Sequence, residues 1–200
     1  MPDIKVLKEQ FITLFKEKIT RQGADMLLAW IEGTDFFTAP ASTKFHGAYE
    51  GGLLEHSLNV YKQLVDEIEI YRKENPECKI SDESVALVAL CHDLCKTSFY
   101  KVSTKNQLNS ETNKWEKAPF YSVDEAFPYG HGEKSAYFVN YFVKLTADEL
   151  MAIRWHMGGF DDSVKGGSYA LGNAFEKYPL AVLLHVADLK ATYLDEGGNS

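Results

Sequence analysis

Apolar residues recur at helical spacing along most of this chain. Ile4, Leu7, Phe11, Leu14, Phe15 and Ile19 repeat with charges between them, which predicts an N-terminal helix broken by Gly23. Met26 to Ile31 predicts a shorter helix that stops near Gly33, followed by a loop from Thr34 to about Tyr49. Leu53 to Tyr71 predicts a long helix with Leu54, Leu58, Tyr61, Leu64, Val65 and Ile68 facing inward. After Pro76, Ser81 or Asp82 can cap the next helix, which runs through Val85, Leu87, Val88 and Leu90 and ends near His92 and Asp93.

The pattern changes between 99 and 128, a stretch rich in Lys, Asn, Ser and Thr with spaced aromatics. Tyr100-Lys101-Val102 and Lys114-Trp115-Glu116 flank a polar turn over 109–113, which predicts an inserted β-hairpin and a candidate lid or substrate wall. Helical spacing returns from Glu133 to Lys144. Thr146-Ala147-Asp148-Glu149 is a capping-box pattern that opens the helix containing His156. Gly158 and Gly159 end that helix, and a glycine-rich loop is expected through Gly166, Gly167 and Gly172. Pro179 suits the first turn of a last helix, through His185 and Asp188 to about Leu194. Tyr137, Phe138, Tyr141 and Phe142 are expected mainly in the core, with Trp115, Phe120 and Tyr121 anchoring the hairpin or stacking on a base. The fold class is therefore all-α, a helical bundle with a small β-hairpin inserted near 99–128. It is expected to form one domain over 1–200: N-terminal helices in 1–33 and a helical core in 34–98 and 129–195.

Composition adds limits. At 200 residues, 45% hydrophobic and 25% charged, the chain suits one domain with a real core. A net charge of −8 disfavours a broad grip on long nucleic acid but allows a nucleotide held through metal. Cys78, Cys91 and Cys95 match neither a disulfide framework nor a zinc ribbon. Cys91 and Cys95 read as small buried thiols, with a ligand role as the alternative. The opening Met-Pro-Asp-Ile-Lys starts an amphipathic pattern rather than a signal peptide, and no apolar run approaches the ~20 residues of a membrane span. The expectation is a soluble cytoplasmic protein without a membrane partner.

The sharpest chemical feature is His92–Asp93, at the end of an apolar run. Burying an imidazole beside a carboxylate is costly unless something binds both, and a divalent metal is the favoured partner over a simple helix-terminal hydrogen bond. Adjacent residues reach one ion only where a helix ends, and Cys95-Lys96-Thr97 marks such an end. Gly51-Gly52-Leu53-Leu54-Glu55-His56, Trp155-His156 and His185-Val186-Ala187-Asp188 bring further candidate ligands from other helices of a bundle.

In this order, the segments resemble the HD superfamily of metal-dependent phosphohydrolases. His92-Asp93-Leu94-Cys95-Lys96 is similar to the usual His-Asp-Ile-Gly-Lys, with Cys95 where a glycine usually stands. Gly130-His131-Gly132-Glu133-Lys134-Ser135 resembles the Gly-His motif of members with two metals, and 185–188 resembles their closing His-x-Ala-Asp. The resemblance implies one or two divalent ions (Mn, Fe, Co, Ni, Zn or Mg). His56, His92, Asp93 and Asp188 would hold the first, and Asp93 would bridge to a second held by His131 and His156. Asp93 would orient the attacking water, and Lys96 would meet a phosphate oxygen or else cap its helix. Lys44, His46 and Arg154 are further substrate-binding candidates, while His185 reads as a support behind the ligands.

The expected activity is hydrolysis of a phosphomonoester or phosphodiester, of a nucleotide or a short nucleic-acid end. Gly-Gly-Leu-Leu-Glu-His and Lys44-Phe45-His46 look most like the HD half of bacterial 3′-to-5′ exoribonucleases. Those pair it with an OB-fold, for which there is no room ahead of this helical region. Together with the acidic charge, this places a small phosphorylated substrate above a long polymer. Two rivals share the ligand set: an HD-fold di-iron oxygenase acting on a small organic substrate, and a non-catalytic metal- or nucleotide-binding regulator.

Overall fold

Local signals set the helix ends. In the computed structural model, which describes residues 3–110 and 112–197, Asp3 caps α1 (Ile4–Lys18) by accepting from the Lys5 amide. Its inward face buries Phe11 and Phe15. α2 (Ala24–Glu32) starts at Gly23, whose φ of +93° and closeness to the Phe142 carbonyl leave no room for a side chain. α3 (Gly52–Glu74) begins behind the Gly51-Gly52 pair. A Cβ on Gly52 would stand 2.0 Å from the Gly47 carbonyl oxygen, so the glycine lets the 34–51 loop lie against the helix start. Met1, Pro2, Glu111 of the expected hairpin turn and residues 198–200 lie outside the described residues.

α4 (Asp82–Cys91), capped by Ser81, is buried from Val85 through Cys91. A helix apolar on all sides belongs at the centre of a bundle, and α1, α3 and α6 (Ala147–Trp155) pack around it. α6 opens with the expected capping box, Thr146 and Glu149 bonding each other's backbone. α5 (His131–Phe142) crosses α6 closely at Gly132, where a Cβ would meet the Arg154 carbonyl oxygen at 2.1 Å. α9 (Pro179–Lys190) carries Pro179 in its first turn and packs on α3 and α6. A wide turn of π type follows over Ala191–Asp195.

The inserted hairpin is present. β1 (Tyr100–Asn109) and β2 (Lys114–Val123) pair antiparallel, with Tyr100 opposite Val123 and Asn109 opposite Lys114. The described residues are thus mostly helical, with one two-stranded sheet. No helix among them is long and apolar enough to cross a membrane.

Three expectations are corrected. The stretch after Gly159 is not simply a loop: α7 (Asp162–Lys165) and α8 (Ala170–Lys177) form there, with Gly172 inside α8. Packing of α8 against α6 and α9, through Ala174 and Phe175, overrides the local weakness of its glycine. Tyr137 and Tyr141 are exposed rather than core, and only Phe138 and Phe142 of that set pack inward, against Trp30. Trp115 is 72% exposed near the hairpin tip rather than packed as an anchor, because side chains at the end of a two-stranded ribbon stand largely in solvent.

Candidate metal centre

The ends of α4 and α6 supply two histidines by one local device. A helix C-terminus leaves carbonyls without intrahelical partners. His92, just past α4, turns its Nδ1 onto the Ala89 carbonyl at 2.8 Å. His156, just past α6, does the same with the Ile153 carbonyl at 2.7 Å. Both rings are buried and tethered through Nδ1, so each presents Nε2 to the interior.

His56 comes from the start of α3, and its Nδ1 points away from the cluster to the Glu196 carboxylate at 3.1 Å. Its Nε2 faces His92 Nε2 at 3.3 Å and Asp188 Oδ1, from α9, at 3.2 Å. These three ligand atoms form one compact group.

Asp93 lies between this group and a second. Beyond α4 its backbone leaves helical geometry and enters a short 3-10 turn over Leu94–Lys96, which splits the directions of the two adjacent side chains. One carboxylate oxygen, Oδ2, faces His92 and His56 Nε2 at 3.5 and 3.7 Å and the Lys96 ammonium at 2.7 Å. The other, Oδ1, faces His131 Nε2 at 2.9 Å and His156 Nε2 at 3.5 Å. His131 stands at the first turn of α5, and the Cys95 thiol lies 3.3 Å from its Nδ1.

The donor chemistry of this cluster fits a cation. With Nδ1–H of His56, His92 and His156 each given to an outward acceptor, the neutral rings aim three Nε2 lone pairs inward. They point at one another and at carboxylate oxygens, so acceptor faces acceptor. His156 Nε2 is buried and makes no hydrogen bond among the described residues. Such an arrangement calls for a hydrogen-bond donor, a proton or a metal ion between the facing acceptors, and the imidazole and carboxylate donor set suits a divalent cation. In the metal-free protein, protons can take that place, and the surroundings push the groups in opposite directions. Burial would lower His56, but Asp188 and Glu196 override it and push His56 up to about 10. Burial is likewise outweighed at His131, where Cys95 and Asp93 raise it to about 10. His92, between other imidazoles, is driven by burial down to about 3 and stays neutral. Against burial, the Lys96 and histidine charges hold Asp93 well below the usual carboxylate range.

The six histidines are spread from 46 to 185 in the sequence, yet all six lie at or behind this cluster. His46, in the loop before α3, packs its ring at a tilt against His56, with ring centroids 4.9 Å apart. Its Nε2 is buried without a hydrogen-bond partner among the described residues. Burial, and then the His56 and Lys96 charges, lower its pKa. His185 gives Nδ1–H to the His156 carbonyl at 2.6 Å and packs on Gly158, so it braces the segment that carries His156. Lys44 is exposed on the same loop as His46. Arg154 is engaged elsewhere: its guanidinium donates to Asp161 and Ser163, pairs with Glu133 and covers the Trp155 ring. Tyr100, at the root of the hairpin, is pushed up to about 12 by burial. Cys91 is buried in α4 with its thiol raised by burial.

Sequence reasoning missed Glu196 and ranked a ligand role for Cys95 behind that of a small buried thiol. Glu196 sits among polar C-terminal residues with no motif around it. The one available hint for Cys95 was its place one turn beyond Cys91 and two residues from Asp93. Comparison of the chain with family models, with curated proteins and with solved structures found no match.

Proposed function

We propose that this chain is an HD-type metal-dependent phosphohydrolase that cleaves a phosphomonoester or phosphodiester of a nucleotide or short nucleic-acid end. The observation that carries this reading is the division of Asp93. One carboxylate oxygen faces the His56–His92–Asp188 group and the other faces His131 and His156. A carboxylate shared between two sets of imidazoles is suited to hold two divalent ions, with His56, His92 and Asp188 around one and His131 and His156 around the other. Divalent ions there would supply a nucleophile at neutral pH and neutralise charge on a phosphoryl group.

The protein's own groups serve the rest of the reaction. Lys96 is a buried, permanently charged ammonium beside Asp93, a fixed point charge for a phosphate oxygen. Tyr100 keeps its proton at neutral pH and closes the Lys96 side by donating to the Ala41 carbonyl. His46 offers a buried ring nitrogen, without a hydrogen-bond partner among the described residues, at the margin of the cluster. The net charge of −8 favours a small phosphoester over a long polyanion.

Metal analysis of the purified chain, with turnover on a panel of phosphomonoesters and phosphodiesters, tests the proposal. The expected result is stoichiometric divalent metal and metal-dependent hydrolysis that Asp93→Ala reduces to background. An Asp93→Ala variant that hydrolyses as fast as the parent overturns it. Iron alone with an electron paramagnetic resonance signal on partial oxidation, and no phosphoester turnover, would favour the oxygen-activating alternative.

A further inference from the structure

We infer that Glu196 is the positioning residue for His56, so that the C-terminal turn completes the metal centre; this rests on the metal-binding reading above. His56 differs from the other tethered histidines. His92 and His156 follow helix C-termini, where free carbonyls accept their Nδ1–H. His56 lies near the start of α3, where the neighbouring carbonyls are used by the helix itself. Its Nδ1–H needs an acceptor from elsewhere, and Glu196 brings one, with both oxygens within 3.2 Å.

The Glu196 side chain is only 4% exposed, and its Oε1 also accepts from Asn59 Nδ2 at 3.0 Å, one helical turn beyond His56. The terminal segment therefore grips one imidazole from both edges, Asp188 at Nε2 and Glu196 at Nδ1. In a straight α-helix these two residues would be about 12 Å apart along the axis. The wide turn over 191–195 ends α9 and brings Glu196 back, with Gln63 holding Asp195 at 2.8 Å. π-type turns of this kind concentrate at functional sites.

A carboxylate on the far nitrogen of a ligating histidine fixes its orientation and tautomer and makes the near nitrogen a better donor. Removing such a partner weakens metal binding by about 10- to 100-fold. Zinc affinity of the full chain, freed of metal and titrated against a chromophoric chelator, tests the inference. Circular dichroism on each variant reports folding. Glu196→Ala is expected to weaken the tightest site by about 10- to 100-fold with the helical signal intact. Glu196→Gln keeps an oxygen acceptor for His56 and should fall between that variant and the parent. Asp195→Ala, which loosens the same turn without touching His56, should stay within about twofold of the parent. Parent-like affinity in Glu196→Ala, or equal loss in Asp195→Ala, overturns the positioning role while leaving the metal centre standing. A parent that binds no zinc overturns the metal centre, and this inference with it.

Discussion

Asp93 and Lys96 form a short, buried ion pair within the site, at 2.7 Å with side chains 2% and 10% exposed. Asp93→Asn keeps the shape of the side chain but leaves the Lys96 ammonium without its counter-charge. Removing one partner of a buried pair costs about 3–5 kcal/mol. For a chain of this length each kcal/mol is worth about 2–4 °C, so the variant should melt roughly 6–20 °C below the parent. The Asp93 carboxyl titrates well below the usual range, so its contribution is complete above about pH 4 and is lost only as pH falls through the folded value. Melting of the chelator-treated protein at pH 7, followed by circular dichroism, therefore samples all of it. Adding Lys96→Met to Asp93→Asn removes the orphaned charge while keeping the apolar stem, and should recover most of the loss. Metal binding should not recover, because the carboxylate is still absent. If Asp93→Asn melts within about 2 °C of the parent, or if the double variant is no more stable than the single one, the electrostatic account of this pair is refuted.

Two further outcomes follow from the same geometry. In the metal-free protein His56 and His131 titrate near 10 when folded against about 6.5 unfolded, so the stability they add is present below about pH 6.5 and is lost as pH rises toward 10. His92, lowered to about 3, acts oppositely, and its contribution is lost as pH falls from about 6.5 toward 3. Melting temperature against pH should peak near neutrality in chelator and lose its alkaline fall when metal replaces the protons; a flat profile in chelator would count against the assignment. Arg154→Ala should destabilise by about 1.5–3 kcal/mol, through lost charged hydrogen bonds to Asp161 and Ser163. Its KM for a phosphoester should be unchanged, and a raised KM with parental stability would return Arg154 to substrate binding.

Much of the architecture was legible because it is written in local terms. The capping box at Thr146, the Ser81 cap and the helical spacing in α1 and α3 all match the helices that form. The hairpin was legible from strand-forming aromatics around a polar turn, and its pairing agrees. What escaped depends on distant partners. α8 forms in a glycine-containing stretch only because α6 and α9 cover it. Tyr137 and Tyr141 share a helix with Phe138 and Phe142, yet which side meets Trp30 is settled by where α2 lies.

The centre divides in the same way. The sequence by itself determined the candidate ligand types, the helix ends that present His92 and His156, and the glycines that let chain segments approach closely. Those follow from spacing, capping and backbone freedom within a few residues. Only the tertiary structure decided which nitrogen of the His56 ring faces inward, how Asp93 divides its oxygens between two groups, and that Arg154 pairs with Asp161 and Ser163. It alone brought Glu196 to His56 across 140 positions of sequence. A ring's orientation is set by whatever accepts its other proton, and for His56 that acceptor arrives only when the chain folds back on itself.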